Sequence, residues 1–201
     1  MKQRMICAAT LALAVLAAGT VRADEITEGL DRARQLYERG DIGGAVTETN
    51  FALNALHQKR SALYSALFPP APTGWTLEES DDDGAGSALA AQMLGGGVMV
   101  ERSYTRGDDN SIKATVIVDS PMIQALASMV NNPAMLGSGA KRVRIGSDNA
   151  VLQRDGEDAD LTLARGNVAI KLEGTGIKDV EILTQIMKGF DLAKLANPQG
   201  K

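Results

Sequence analysis

Along residues 25–68 the apolar positions recur at helical intervals. Ile26, Leu30, Ala33 and Tyr37 lie four, three and four residues apart, so a helix through them carries one apolar stripe, and Gly40 ends it. The following GDIGGA is short enough for a tight reversal. Beyond it Val46, Leu53, Leu56, Leu63 and Leu67 follow at steps of seven, three, seven and four, which predicts a second, longer helix and an antiparallel hairpin over residues 24–68. The second stripe is expected to pack against the first helix and the rest of the chain, with Tyr64 and Phe68 reaching towards Trp75. Because the second helix outruns the first by several turns, its seam, Leu56 and Leu63 above all, is also where a protein partner or a second copy (a homodimer) would dock.

The period then changes. Pro69, Pro70 and Pro72 in FPPAPTGW cannot continue a helix and Gly74 permits a reversal, which makes residues 69–76 a proline-rich linker. After it VMVERSYT and IKATVIVD alternate apolar and polar positions around the turn-forming RGDDNS and read as a β-hairpin. Ser120 followed by Pro121 supplies a helix start, and MIQALASMV runs as a short helix to Asn131, Asn132 and Pro133. KRVRIG, NAVLQRD, DLTLARG and NVAIKLEG are further alternating segments separated by turn residues, suited to an antiparallel meander. A final helix from Lys178 to about Leu195 places Val180, Leu183, Ile186, Met187 and Phe190 on one face. The predicted fold class is α+β: an N-terminal α-helical hairpin followed by an antiparallel β-sheet domain, residues 77–197, with helices packed on one face. Strand-then-helix order occurs in both halves of that domain, as in a duplicated β-β-α unit.

ARQLYERGDIGGAVTETNFAL resembles one tetratricopeptide-type unit, with Ala33, Leu36, Gly40, Ala45 and Ala52 at the small and apolar positions of that family. The likeness spans residues 25–57 and departs from the family pattern at Gly29, Thr49 and His57. It implies paired helices that approach closely. No second copy follows, and a single unit of this kind cannot bury its own apolar face, so the hairpin has to lean on the rest of the protein or on another chain. The order of elements after the linker resembles the PsbP-like group of secreted and lumenal proteins, which implies an accessory or binding role rather than catalysis.

The first residues bear on compartment. Lys2 and Arg4 precede the apolar run ICAATLALAVLAAG, too short to span a bilayer comfortably, and Val21 and Ala23 fit the small-residue rule for signal cleavage. Residues 1–23 are expected to be a secretory signal removed near Ala23, leaving a periplasmic or secreted chain without a transmembrane segment. Removal takes away Cys7, the only cysteine, and with it disulfide and thiol chemistry. It also takes Lys2, Arg4 and Arg22, moving the formal charge from −4 to about −7 and disfavouring a nucleic-acid partner.

Candidate chemistry is sparse. DDDGAGSALAAQMLGGG, residues 81–97, has neither the alternating oxygen ligands of a calcium loop nor the lysine and hydroxyl that follow a phosphate-binding glycine loop. It reads as an excursion over one end of the sheet, or as a lid or tip whose Met93 and Leu94, with Met99 just beyond, meet an apolar ligand. His57, the one histidine, reads as a solvated surface residue, and clustered zinc ligands are lacking. Ser138 to Lys141 and Ser147 to Asn149 mimic two motifs of penicillin-recognising enzymes, but they lie almost adjacent and no third motif follows. The acidic turns at Asp108-Asp109 and residues 155–160 suit solvated hairpins better than cation sites, and Met122, Met129 and Met187 suit core packing better than soft-metal ligation. The functional reading is a non-catalytic interaction or accessory protein of the cell envelope, with no catalytic, cofactor or metal residues. Its candidate binding residues are Leu56, Leu63, Tyr64, Trp75, Met93, Leu94 and Met99. The competing reading is a small-molecule or lipid-binding protein using the sheet face under residues 81–97.

Overall fold

The computed structural model describes residues 24–78, 97–132, 134, 137 and 139–198. The signal expected at residues 1–23, and Met93, Leu94 and the rest of the 81–97 stretch before Gly97, lie outside the described residues.

Two capped helices come first. Asp24 accepts from the backbone N–H groups of Ile26 (2.9 Å) and Thr27 (3.3 Å) at the start of α1 (Glu25–Glu38), and Asp41 accepts from Gly44 N–H (2.9 Å) at the start of α2 (Ile42–Ser65). Their contact is made of small residues. Gly29 and Ala33 of α1 and Ala45 and Ala52 of α2 are buried, and a Cβ built on Gly29 would lie 3.3 Å from that of Ala52. Helices this close leave no space between them for large side chains, so Leu30, Tyr37 and Val46 flank the contact and stay in solvent. The expected burial of the Val46, Leu53, Leu56 and Leu63 stripe is corrected accordingly. It is Ala45 and Ala52, each one residue ahead of the stripe, that turn inward.

The described strands form one antiparallel sheet: β1 (Thr76–Glu78), β2 (Val98–Arg106), β3 (Asn110–Val118), β4 (Ala140–Ile145), β5 (Asp148–Asp155), β6 (Asp158–Arg165) and β7 (Val168–Thr175). Their order is β1-β2-β3-β7-β6-β5-β4. Two-residue loops at Gly146-Ser147, Gly156-Glu157 and Gly166-Asn167 close the last three hairpins, with glycine φ angles of 60°, 62° and 59° that match the twist of the flanking strands. The acidic cluster at residues 155–160 is one of these turns. The edge strand β1 emerges directly from the proline segment, setting Leu77 beside Tyr104 of β2.

Among the described residues three helices accompany the sheet: α3 (Met122–Asn131), α4 (Glu181–Gly189) and α5 (Leu192–Ala196). Where one final helix is predicted there are two, because Phe190 adopts an extended backbone to bury its ring and Asp191 then caps α5 by accepting from Ala193 and Lys194 N–H. Alternation along the strands places Ile112, Val116, Leu161, Leu163, Ile170 and Leu172 on one face, where α4, α5 and the end of α2 cover them through Leu183, Ile186, Met187, Leu195 and Tyr64. The intervening residues Ile117 and Ala169 meet Ile123 and Leu126 of α3 on the opposite face. Helices therefore pack against both faces. A two-fold axis normal to the sheet between β3 and β7 would carry α3 and α4 to the same face, so the two strand-then-helix halves are not copies related by that rotation.

The proline segment is a packed joint. Phe68 and Trp75 are buried in the main core; the Phe68 ring meets that of Phe190 edge-on at 5.4 Å, and the Arg106 guanidinium lies 4.8 Å above the Trp75 ring. The buried Tyr104 hydroxyl donates to the Pro69 carbonyl at 2.8 Å. Burial pushes the Tyr104 phenol well above its ordinary pKa, so it remains protonated and keeps donating. Tyr104→Phe should leave the Pro69 carbonyl unpaired inside the core and lower urea-unfolding stability by about 1–2 kcal/mol. Limited proteolysis should then cut within residues 66–76; an unchanged midpoint with no cutting would mean that apolar contacts alone hold the joint.

Candidate interaction surface

On α2 the positions 42, 46, 49, 53, 56, 60 and 63, with 67 in the turn just beyond it, alternate steps of four and three, the interval of a helix-pairing seam. They hold Ile, Val, Thr, Leu, Leu, Arg, Leu and Leu. Leu67 packs onto the core, but Val46 is 55% exposed, Leu53 and Leu56 44% each, and Leu63 39%. On α1, Leu30 (48% exposed) and Tyr37 (68%) lie alongside. Two grooves run along this face. One of about 520 Å³ lies between the helices and is lined by Leu30, Tyr37, Ile42 and Val46, with Arg34. The other, of about 550 Å³, follows the second half of α2 past Leu53, Leu56 and Leu63 and is walled by Asp119, Ala196 and Pro198.

Charges at this face are matched locally. Arg60, the one charged seam position, pairs with Asp119 and has its guanidinium 6.0 Å from the Tyr64 ring centre. Asp119 occupies the turn after β3 in a left-handed conformation (φ 55°) and also accepts from the Asn167 side-chain amide at 2.7 Å. Lys59 donates to Asp24 at 2.7 Å, pinning the start of α1 to the last third of α2. That bond, with the Thr27 and Ile26 N–H groups, holds the Asp24 carboxyl below its usual range. Arg32 reaches across to Glu48 at 3.0 Å.

The candidate residues separate into three groups. Leu56 and Leu63 stand on the exposed face. Tyr64 (3% exposed) and Trp75 (7%) belong to the core instead, because the packed joint that fixes the hairpin consumes them. Met99 is half-buried against Ile117 and α3. Gly97, the last glycine of the triplet, has φ 98°, and a Cβ there would lie 2.5 Å from the Val118 carbonyl oxygen, so strand geometry accounts for it. Sequence reasoning missed Ile42, assigned Leu30 and Tyr37 to the inner stripe of the hairpin, and placed Val46 and Leu53 in a seam expected to pack internally, with docking as its alternative. The signal was present in the 4-3 repeat itself, which runs beside the small residues Ala45 and Ala52 rather than through them.

The second face of the sheet, beside α3, carries paired charges. Lys171 sits 2.6 Å from Glu173 and 3.8 Å from Asp160, and Lys113 sits 3.5 Å from Glu101. This is a poor bed for an apolar ligand. Among the described residues no three His, Cys, Asp or Glu side chains are grouped to hold a metal ion, and no helix is long and apolar enough to cross a membrane. No family model, curated protein or solved structure matches the chain.

Burial raises the Asp160 carboxyl above its ordinary pKa, against the pull of Lys171. A carboxyl raised on folding costs stability once it ionises, and that cost disappears as the pH falls through its native pKa. Asp160→Asn should therefore raise the unfolding free energy, and with it the melting temperature, modestly at neutral pH, by less than about 1 kcal/mol for so exposed a group, and make no difference near about pH 3. A lower melting temperature at neutral pH would mean that the Lys171 contact outweighs the burial.

Proposed function

We propose that this chain is an exported, non-catalytic interaction or accessory protein of the bacterial cell envelope whose docking surface is the apolar face of α1 and α2. The observation that carries the reading is the row of large side chains, from Tyr37 and Val46 to Leu56 and Leu63, held in water by a hairpin whose end is locked into the core. Apolar surface costs about 25 cal/mol per Å² while it stays wet, and a contiguous exposed row marks a place that something covers. The signal pattern of residues 1–23 supports export to the periplasm or beyond, and the acidic charge balance supports a protein partner over a polyanion. The apolar face of the sheet is filled by the chain's own helices and the exposed part of the other face is charged, which favours a protein over a lipid as the ligand.

Photo-crosslinking in the source cells tests this. A benzophenone side chain at Leu56 or Leu63 should give protein adducts in the envelope fraction, and the same group at Lys141, on the far edge strand β4, should give none. If neither helical position yields an adduct while the protein is present and folded, the reading fails.

A further inference from the structure

We infer that the occupant of this face is a second copy of the chain, paired antiparallel along α2; the inference rests on the docking reading above and names its partner. A seam with a 4-3 repeat can pair with itself in either direction and in several registers, and its two polar members, Thr49 and Arg60, decide among them. In an antiparallel pair the two classes of seam position face each other. A two-fold axis between Asn54 and Ala55 sets Leu53 against the partner's Leu56 and Val46 against the partner's Leu63. It also sets Thr49 against the partner's Arg60, so polar meets polar. Sliding one heptad either way destroys the match, placing Arg60 against Ile42 in one case and against Leu56 in the other. A parallel pair places Arg60 against its own copy.

Arg60 enters this interface with its charge already countered, because Asp119 pairs with it from the sheet side of the same chain. Shape agrees with register. The bond from Lys59 to Asp24 marks where α1 begins, so the last turns of α2, with Leu63, have no α1 beside them. Two-fold pairing lays the C-terminal part of each copy's α1, with Tyr37, beside those unaccompanied last turns of the other α2, giving a four-helix arrangement. The large apolar side chains of the face, Leu30, Tyr37, Ile42, Val46, Leu53, Leu56 and Leu63, are each between 39% and 68% exposed, a row of the kind that marks an interaction site.

Light scattering on the purified chain should give twice the chain mass, and Leu56→Asp, a change at an already exposed position, should halve it with the circular dichroism spectrum unchanged. Direction and register are read separately. In a Cys7→Ser background, Val46→Cys and Leu63→Cys proteins should each resist disulfide dimerisation alone, since each residue lies about 25 Å from its own copy at 1.5 Å rise per residue, and should crosslink to one another when mixed. A monomeric mass at all concentrations, or disulfides formed within a single variant, would overturn the self-pairing. Benzophenone adducts at Leu56 to a different protein, with a monomeric chain, would overturn it and leave the docking reading standing. A monomer with no adduct would remove both.

Discussion

The hydrogen bond from the buried Tyr104 hydroxyl to the Pro69 carbonyl, with Phe68 and Trp75 packed around it, fixes the pose of everything that precedes it. Three prolines within four residues already restrict the backbone, and the core supplies the remaining constraint. Because Tyr64 and Leu67 are committed to the same core, the rotation of α2 about its own axis is set at its C-terminal end. The outward direction of the seam residues follows from that rotation. A segment that composition alone marks as a linker is thus the part of the chain that determines which helical face meets water.

The second determinant is the size of the residues between α1 and α2. Gly29, Ala33, Ala45 and Ala52 let the two backbones approach closely, which gives a compact contact but excludes larger apolar groups from it. A helix pair built this way satisfies its own closest line and leaves its flanks unsatisfied. Among the described residues the sheet domain buries the flank near Tyr64 and Phe68 and walls the groove past Leu53, Leu56 and Leu63 with Asp119, Ala196 and Pro198, which leaves the outer side of the seam in water.

Much of the architecture was legible in the residue pattern: the switch from helical to alternating period, the glycine-marked turns, and the Ser120-Pro121 start of α3. What the pattern left undecided was whether the α2 stripe packs inward or meets a partner. On α2 small and large apolar residues lie on neighbouring lines, and periodicity cannot say which line turns inward; volume can, since only alanine and glycine tolerate the observed approach. The break at Phe190 was likewise hidden, because a helix that continues and a helix that is interrupted to bury an aromatic ring share the same apolar spacing until Asp191 is recognised as a cap. Tyr64 and Trp75 close the core, because large aromatic residues beside a proline turn serve as well for that as to greet a ligand.

The strand order has a kinetic corollary. β3 and β7 are neighbours at the centre of the sheet, yet the whole of residues 119–167 separates them, while β4 to β7 follow one another through two-residue turns. Local hairpins close quickly and distant strands slowly, because the intervening chain must surrender its freedom before the pairing rewards it. The C-terminal meander can therefore assemble on its own schedule, whereas β2 and β3 wait with an open edge for the last strand of the sheet to arrive. During synthesis, β2 and β3 thus stay unfinished until β7 has emerged.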